Sequence, residues 1–194
     1  MKQIVPLLIC GLSVFSHSGC HGSAESPPAV EVVVDGDGQF PDFLVGTWKA
    51  DSGGWEIVFE PNGAISSAVV SLGVRMKPGE VSVVANKGGG EGVFEPGPWT
   101  VQYSQERREL IVEIVVAHFR TELRSQLGVN VVQGQRRDFF VGTVSGDGQL
   151  WWANRFSFPE SVVDTKNYRD HELTVDPNDN PPEGLLFQKI PKSQ

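Results

Sequence analysis

Two neighbouring stretches decide the fold class: Trp99-Thr100-Val101-Gln102-Tyr103 and, beyond the polar turn Ser104 to Arg108, Leu110-Ile111-Val112-Glu113-Ile114-Val115-Val116-Ala117. In the first, Trp99, Val101 and Tyr103 alternate with Thr100 and Gln102, the period-two pattern of a half-buried strand. In the second, Leu110, Val112, Ile114 and Val116 point one way while Ile111, Glu113, Val115 and Ala117 point the other. Working outward, Trp55, Ile57 and Phe59 alternate with Glu56 and Glu60 before the turn Pro61-Asn62-Gly63, and Ile65 to Leu72 resumes the pattern. That is a hairpin, with Asn-Gly supplying the positive φ angles such turns need. Val81 to Ala85 adds a short strand. Phe139 to Val144, the turn Gly146-Asp147-Gly148 and Leu150 to Phe158 form a further hairpin, and Leu185 to Ile190 reads as a closing strand. The total is eight to ten strands at hairpin spacing. The fold class is all-β, an antiparallel barrel or sandwich.

Two stretches depart from the pattern. Phe119, Leu123 and Leu127 lie four apart with Gly128 following, which reads as a short capped helix or equally as the arm of a long twisted hairpin. Pro159 to Pro182 carries Asp, Asn and Pro with few apolar residues and reads as a long surface loop.

The 194 residues divide into one ordinary domain with a short appendage. With 16 Lys plus Arg against 24 Asp plus Glu, the net charge is −8, which argues against nucleic acid as a partner because phosphate binding needs a basic face. The N-terminus has the layout of an export signal. Lys2 supplies the positive region, Ile4 to Phe15 a short apolar run, and small polar residues lead to Cys20. From His21 to Pro41 the composition is that of a spacer, with Gly22, Ser23, Pro27 and Pro28 extending it. Val30 to Val34 could pair onto the domain. The expected organisation is a signal peptide over 1–19, a lipidated Cys20 with linker over 20–41, the β domain over 42–190 and a tail over 191–194.

Ser18-Gly19-Cys20 resembles the end of a bacterial lipobox, where cleavage precedes a Cys that receives a diacylglycerol. Cys20 is then the lipidation site and the membrane is reached through it. One Cys would remain, itself acylated, so no internal disulfide could form. By the same resemblance, His21 in place of an inner-membrane retention Asp points to the outer membrane. Further on, Gly46-Thr47-Trp48 opens the first full strand as in the lipocalin and wider calycin group. The resemblance implies an up-and-down β-barrel whose cup holds a small apolar or amphipathic ligand. The residues assigned to that cup are Trp48, Trp99, Tyr103 and Trp152, with Ser67, Ala68, Ala85 and Ala117 as small inward residues leaving room. The alternative is an envelope interaction or structural module with no ligand, marked by a closed core and an exposed apolar patch or open sheet edge.

Other chemistry has weaker support. His21, His118 and His171 are far apart, with no metal-ligand spacing, and His118 is expected partly buried on the face of Val116. Asp35-Gly36-Asp37-Gly38 and Asp176 to Pro182 place oxygens two residues apart but break the calcium-loop pattern, and read as turns. Lys87 to Gly92 is Gly-rich without the P-loop's Lys-Ser/Thr and helix, so it reads as a hairpin tip. Glu113 beside Asp138 is the pair of carboxylates open to acid–base work. Arg107-Arg108 and Arg136-Arg137 are expected at strand edges or turns. No metal, cofactor or enzymatic activity is expected. Trp151 and Trp152, adjacent on one strand, must face opposite sides.

Overall fold

Side chains that alternate in the sequence alternate in space, and strands account for nearly all the regular structure. The structure, a computed structural model, describes residues 29–70, 73–86, 89–125, 128–165, 168–174 and 181–191. Thirteen strands follow in order: β1 Val30–Val34, β2 Gly46–Ala50, β3 Glu56–Phe59, β4 Ile65–Val70, β5 Val74–Met76, β6 Ser82–Ala85, β7 Glu91–Pro96, β8 Trp99–Ser104, β9 Glu109–Ser125, β10 Gly128–Val144, β11 Leu150–Thr165, β12 Tyr168–Thr174 and β13 Glu183–Lys189. One 3₁₀ turn, Asp42–Leu44, precedes β2, and no α-helix occurs among the described residues.

All thirteen strands join one sheet, in the order β1-β8-β9-β10-β11-β13-β2-β3-β4-β5, with β7 and β12 branching from the long strands and β6 on β7. Every pairing is antiparallel except β1 with β8, which is parallel from Val30↔Trp99 to Val34↔Tyr103. The long strands β9, β10 and β11 each serve two storeys. In the lower storey β9 pairs with β8 and β11 with β13; in the upper, β9 pairs with β7 and β11 with β12.

The lower storey curls around an aromatic core. Trp48, Trp99, Trp151, Phe140 and Phe187 are fully buried, and Trp151 stacks on Phe187 with centroids 4.6 Å apart. Buried indoles need a partner for their N–H. Trp48 Nε1 donates to Leu44 O at 2.8 Å, and Trp99 Nε1 to Val115 O at 2.9 Å. β1 approaches the β3–β4 turn without pairing to it. A Cβ at Gly63, in the β3–β4 turn with φ +83°, would lie 2.8 Å from Val32 Cγ1 and 2.7 Å from the Phe40 ring.

This differs from the expected barrel of eight to ten strands. The sheet has thirteen strands, is mixed, and leaves β1 and β5 as unjoined ends. Strand pairing at the seam depends on residues far apart in the chain, which local periodicity does not report. The open reading of Phe119 to Gly128 resolves as strand, in the long β9–β10 hairpin. Pro159 lies inside β11, and β12 follows within the stretch expected to be a loop; residues 175–180, with most of the Asp176 to Pro182 motif, lie outside the described residues. Cys20, His21 and the leader also lie outside them, as do Lys87 and Gly88.

Candidate functional site

β9 carries the device that shapes the upper storey. Its register shifts by one residue against both β7 and β10 around Ala117, so an extra residue bulges there. Below the bulge Val112, Ile114 and Val116 face inward; above it Phe119, Thr121 and Leu123 take that face. Ala117 and His118 are turned out, His118 standing 3.9 Å from the Glu95 carboxylate. This corrects the expectation of a partly buried His118 and an inward Ala117. Of the other small residues, Ala68 is buried, Ala85 is exposed, and Ser67 accepts from Arg75 Nη1 at 3.2 Å.

The inner face of the upper storey has no second sheet packed over it among the described residues. Instead it forms a cleft of about 420 Å³, walled by Phe94, Val116, Phe119, Leu123 and Val132, with Val70 of β4 at its base. Phe94 and Phe119 stack with centroids 6.2 Å apart. Asn86, at the end of β6, donates from Nδ2 to Thr121 Oγ1 at 3.1 Å and to Glu122 O at 2.6 Å, tying the β6–β7 hairpin to the cleft wall.

Arg136 is the one charged side chain lining the cleft among the described residues. It is held there from below. Asp138, 1% exposed, accepts from Arg136 Nε at 2.8 Å and from Nη2 at 3.2 Å, a two-pronged pair on one face of β10. Such forks fix the guanidinium plane as well as its charge. Arg155 Nε lies 3.7 Å from Asp138 Oδ1, the oxygen that also accepts from Arg136 Nη2, and Arg155 Nη1 reaches Glu183 at 3.0 Å. Both guanidiniums lie over the Trp55 ring, at 5.0 Å for Arg155 and 5.9 Å for Arg136. Two cations flank one buried carboxylate, with Glu183 completing neutrality at the far end. The cleft therefore meets the positive side of the cluster.

The residues assigned to ligand binding from sequence are not brought together in this cleft. Trp48 and Trp99 are packing residues of the lower core. Tyr103 is 4% exposed and borders a polar recess with Gln105 and Arg108 at the opposite end; burial raises its phenol's pKa, with the Arg108 charge opposing that rise. Trp152 is on the outer face, 51% exposed, opposite its fully buried neighbour Trp151. Glu113 and Asp138 do not form a pair: Glu113 faces outward to Arg137 at 3.0 Å while Asp138 faces inward. Arg136 and Arg137 are mid-strand in β10, not at an edge or turn. Arg108, at φ +52°, caps the β10–β11 turn by donating to Val144 O and Ser145 O. Asp35 and Asp37 are hydrogen-bond acceptors for Gln105, through its backbone N–H and its side chain, each at 2.8 Å.

Sequence reasoning placed Arg136 at an edge or turn and Asp138 beside Glu113, and passed over Arg155. The signal for the first two was present as Arg136-x-Asp138, a charge pair two apart on one strand face. No protein-family model, curated protein or solved structure matches the chain.

Proposed function

We propose that this chain is a lipid-anchored extracytoplasmic β-protein that binds a small amphipathic ligand in the upper-storey cleft. The observation that carries this reading is an apolar face, not covered by any described strand, ending at a guanidinium fixed in orientation by a buried carboxylate. Ligand sites are mostly apolar with a few placed polar groups. An acyl or similar tail would lie along Phe94, Phe119, Leu123 and Val132, and an acidic head would face Arg136. In this reading the curled sheet works as an up-and-down barrel left open on one side, its lower half filled by side chains and its upper half serving as a lipocalin-like cup. Asn86, Thr121 and Ser161 supply the remaining polar lining, which suits holding a ligand more than transforming one. Cys20 would carry the anchor, on the outer membrane.

The test is titration of the purified protein with a fluorescent long-chain fatty acid. Leu123 is 49% exposed at the rim, so Leu123→Glu leaves the fold intact while placing a carboxylate beside the tail. Probe binding should weaken by about tenfold or more, since burying an unpaired charge against an alkyl chain is costly. Absence of binding by the wild type, or equal binding by Leu123→Glu, refutes the cleft. A ligand-free envelope interaction module is the second reading, favoured by the filled lower core and by the exposed Trp152, Phe156 and Phe158. Native mass spectrometry of protein taken from its own membrane separates the two: a co-purifying lipid supports the cup, and a bare chain supports the module.

A further inference from the structure

The outer face of β10 and β11 carries an aromatic stripe that the cleft does not use. Trp152, Phe156 and Phe158 lie on the outward side of β11, with exposed Asn154 between the first two, and are 51%, 37% and 38% exposed. Phe139 of β10 pairs with Phe156 across the ladder and meets Phe158 edge to face at 5.9 Å. Adjacent to Trp152 on β13 is Leu186. Val115, Phe139 and Phe158 share the walls of a groove of about 440 Å³ with Gln135, Arg136, Arg137 and Glu160. Charge near the stripe is largely cancelled, Arg137 being paired with Glu113 and lying over the Phe139 ring. Large exposed apolar patches on a monomer mark a partner surface.

The register says what can reach it. Glu31, Thr100, Glu113, Phe139 and Phe156 form one continuous row of paired residues across β1, β8, β9, β10 and β11. Four strand spacings put Phe156 about 19 Å from Glu31 along the sheet, and closer through space because the sheet curves. The chain from Cys20 to Glu31 is eleven residues, with a contour of up to about 36 Å. An acyl group on Cys20 therefore holds the membrane within reach of the stripe, on the row where the tether joins the sheet.

We propose that Trp152, Phe156 and Phe158 seat the domain on the interfacial zone of the bilayer that Cys20 anchors it to. The inference rests on the lipid-anchor part of the function proposed above and is independent of the cleft. Aromatic side chains partition to the boundary between headgroups and acyl chains. With a net charge of −8, the protein docks through ring insertion and not through attraction to anionic lipid, so attachment of the stripe is insensitive to salt. The favoured surface is zwitterionic.

The five tryptophans supply the measurement. Trp48, Trp55, Trp99 and Trp151 are at most 1% exposed, leaving Trp152 as the indole that lipid can touch. The intact protein is reconstituted into phosphatidylcholine vesicles brominated near the top of the acyl chains, and its emission is compared with that of Trp152→Phe. The difference spectrum, which belongs to Trp152, should fall about twofold or more on bromination, as for an interfacial indole. Replacing Phe156 and Phe158 together by Ser, both on the solvent side, should largely abolish that fall. Labelled fatty acid incorporation with Cys20→Ala as control reads the anchor separately. Labelled protein whose Trp152 is unquenched overturns the docking and leaves the anchor standing. Unlabelled protein whose Trp152 is still quenched by added vesicles upholds docking and removes the anchor. Quenching unchanged in the Phe156/Phe158 variant overturns the proposal, as does shielding of Trp152 by isolated cell-wall glycan and not by vesicles.

Discussion

Gly142 tests how closely the backbones of β10 and β11 approach one another. It lies in β10 opposite Ala153, and a Cβ there would stand 1.8 Å from Trp152 O and 2.6 Å from Ala153 Cα. Both atoms are backbone, so no side-chain rotation relieves the overlap. Restoring an ordinary contact requires β10 and β11 to part by about 1.6 Å locally, stretching neighbouring ladder hydrogen bonds beyond about 4 Å. Two lost bonds at about 1 kcal/mol each, plus loosened packing of Phe140 against Trp151, put the cost of Gly142→Ala at about 3–4 kcal/mol. With a urea dependence of about 2 kcal/mol per molar for a domain of this size, the midpoint should drop by about 1.5–2 M. Emission from the buried indoles reports the transition. Gly184→Ala, on β13 where an added Cβ meets nothing within 4 Å, should change stability by less than about 0.5 kcal/mol. Equal midpoints for the two variants would refute the claim that strand crowding, and not glycine content, requires Gly142.

Other perturbations follow from the same contacts. Asp138→Asn leaves Arg136 and Arg155 without their shared buried anion and should cost about 3–5 kcal/mol in chemical denaturation; a smaller loss than that of an exposed charge swap would count against the cluster as described. The Asp35 carboxyl is held below the ordinary range by the Ser104 hydroxyl and then the Gln105 backbone N–H, and Asp147 by the Ser145 hydroxyl and then the Gln149 N–H. A carboxyl with a lower pKa folded than unfolded stabilises the fold above the unfolded value and loses that effect as pH falls through the folded one. The melting temperature should therefore decline below about pH 4, and less steeply in the Asp35→Asn/Asp147→Asn variant; an identical slope would show that neither turn contributes.

The strand content was legible because alternation is a local property. Trp99 to Tyr103, Trp55 to Phe59 and the opposed pair Trp151 and Trp152 each stand where period two places them. The turn signals at Asn62-Gly63 and Gly146-Asp147-Gly148 also mark real reversals. What escaped was non-local or one residue wide. The bulge at Ala117 resets the inward face of β9, and alternation read across it sends His118 and Phe119 to the wrong sides. Sheet closure depends on whether β1 meets β5, strands about forty residues apart whose contact no periodicity encodes. The parallel seating of β1 on β8 is of the same kind. Arg136 was expected at an edge or turn because a charge in a strand is more often there than in its middle; the buried Asp138 beside it, with the Trp55 ring and Arg155 brought from other strands, makes its mid-strand position tenable.

The first full strand of the domain is completed by the last. β2 has β3 on one side and only β13 on the other, a partner that follows it by more than a hundred residues. A chain emerging N-terminus first thus keeps the β2 edge bare until β13 is available. Such long-range closure is slow compared with hairpin formation. The sheet therefore closes around β2 late, after the hairpins that lie between β2 and β13 in the chain have had time to form.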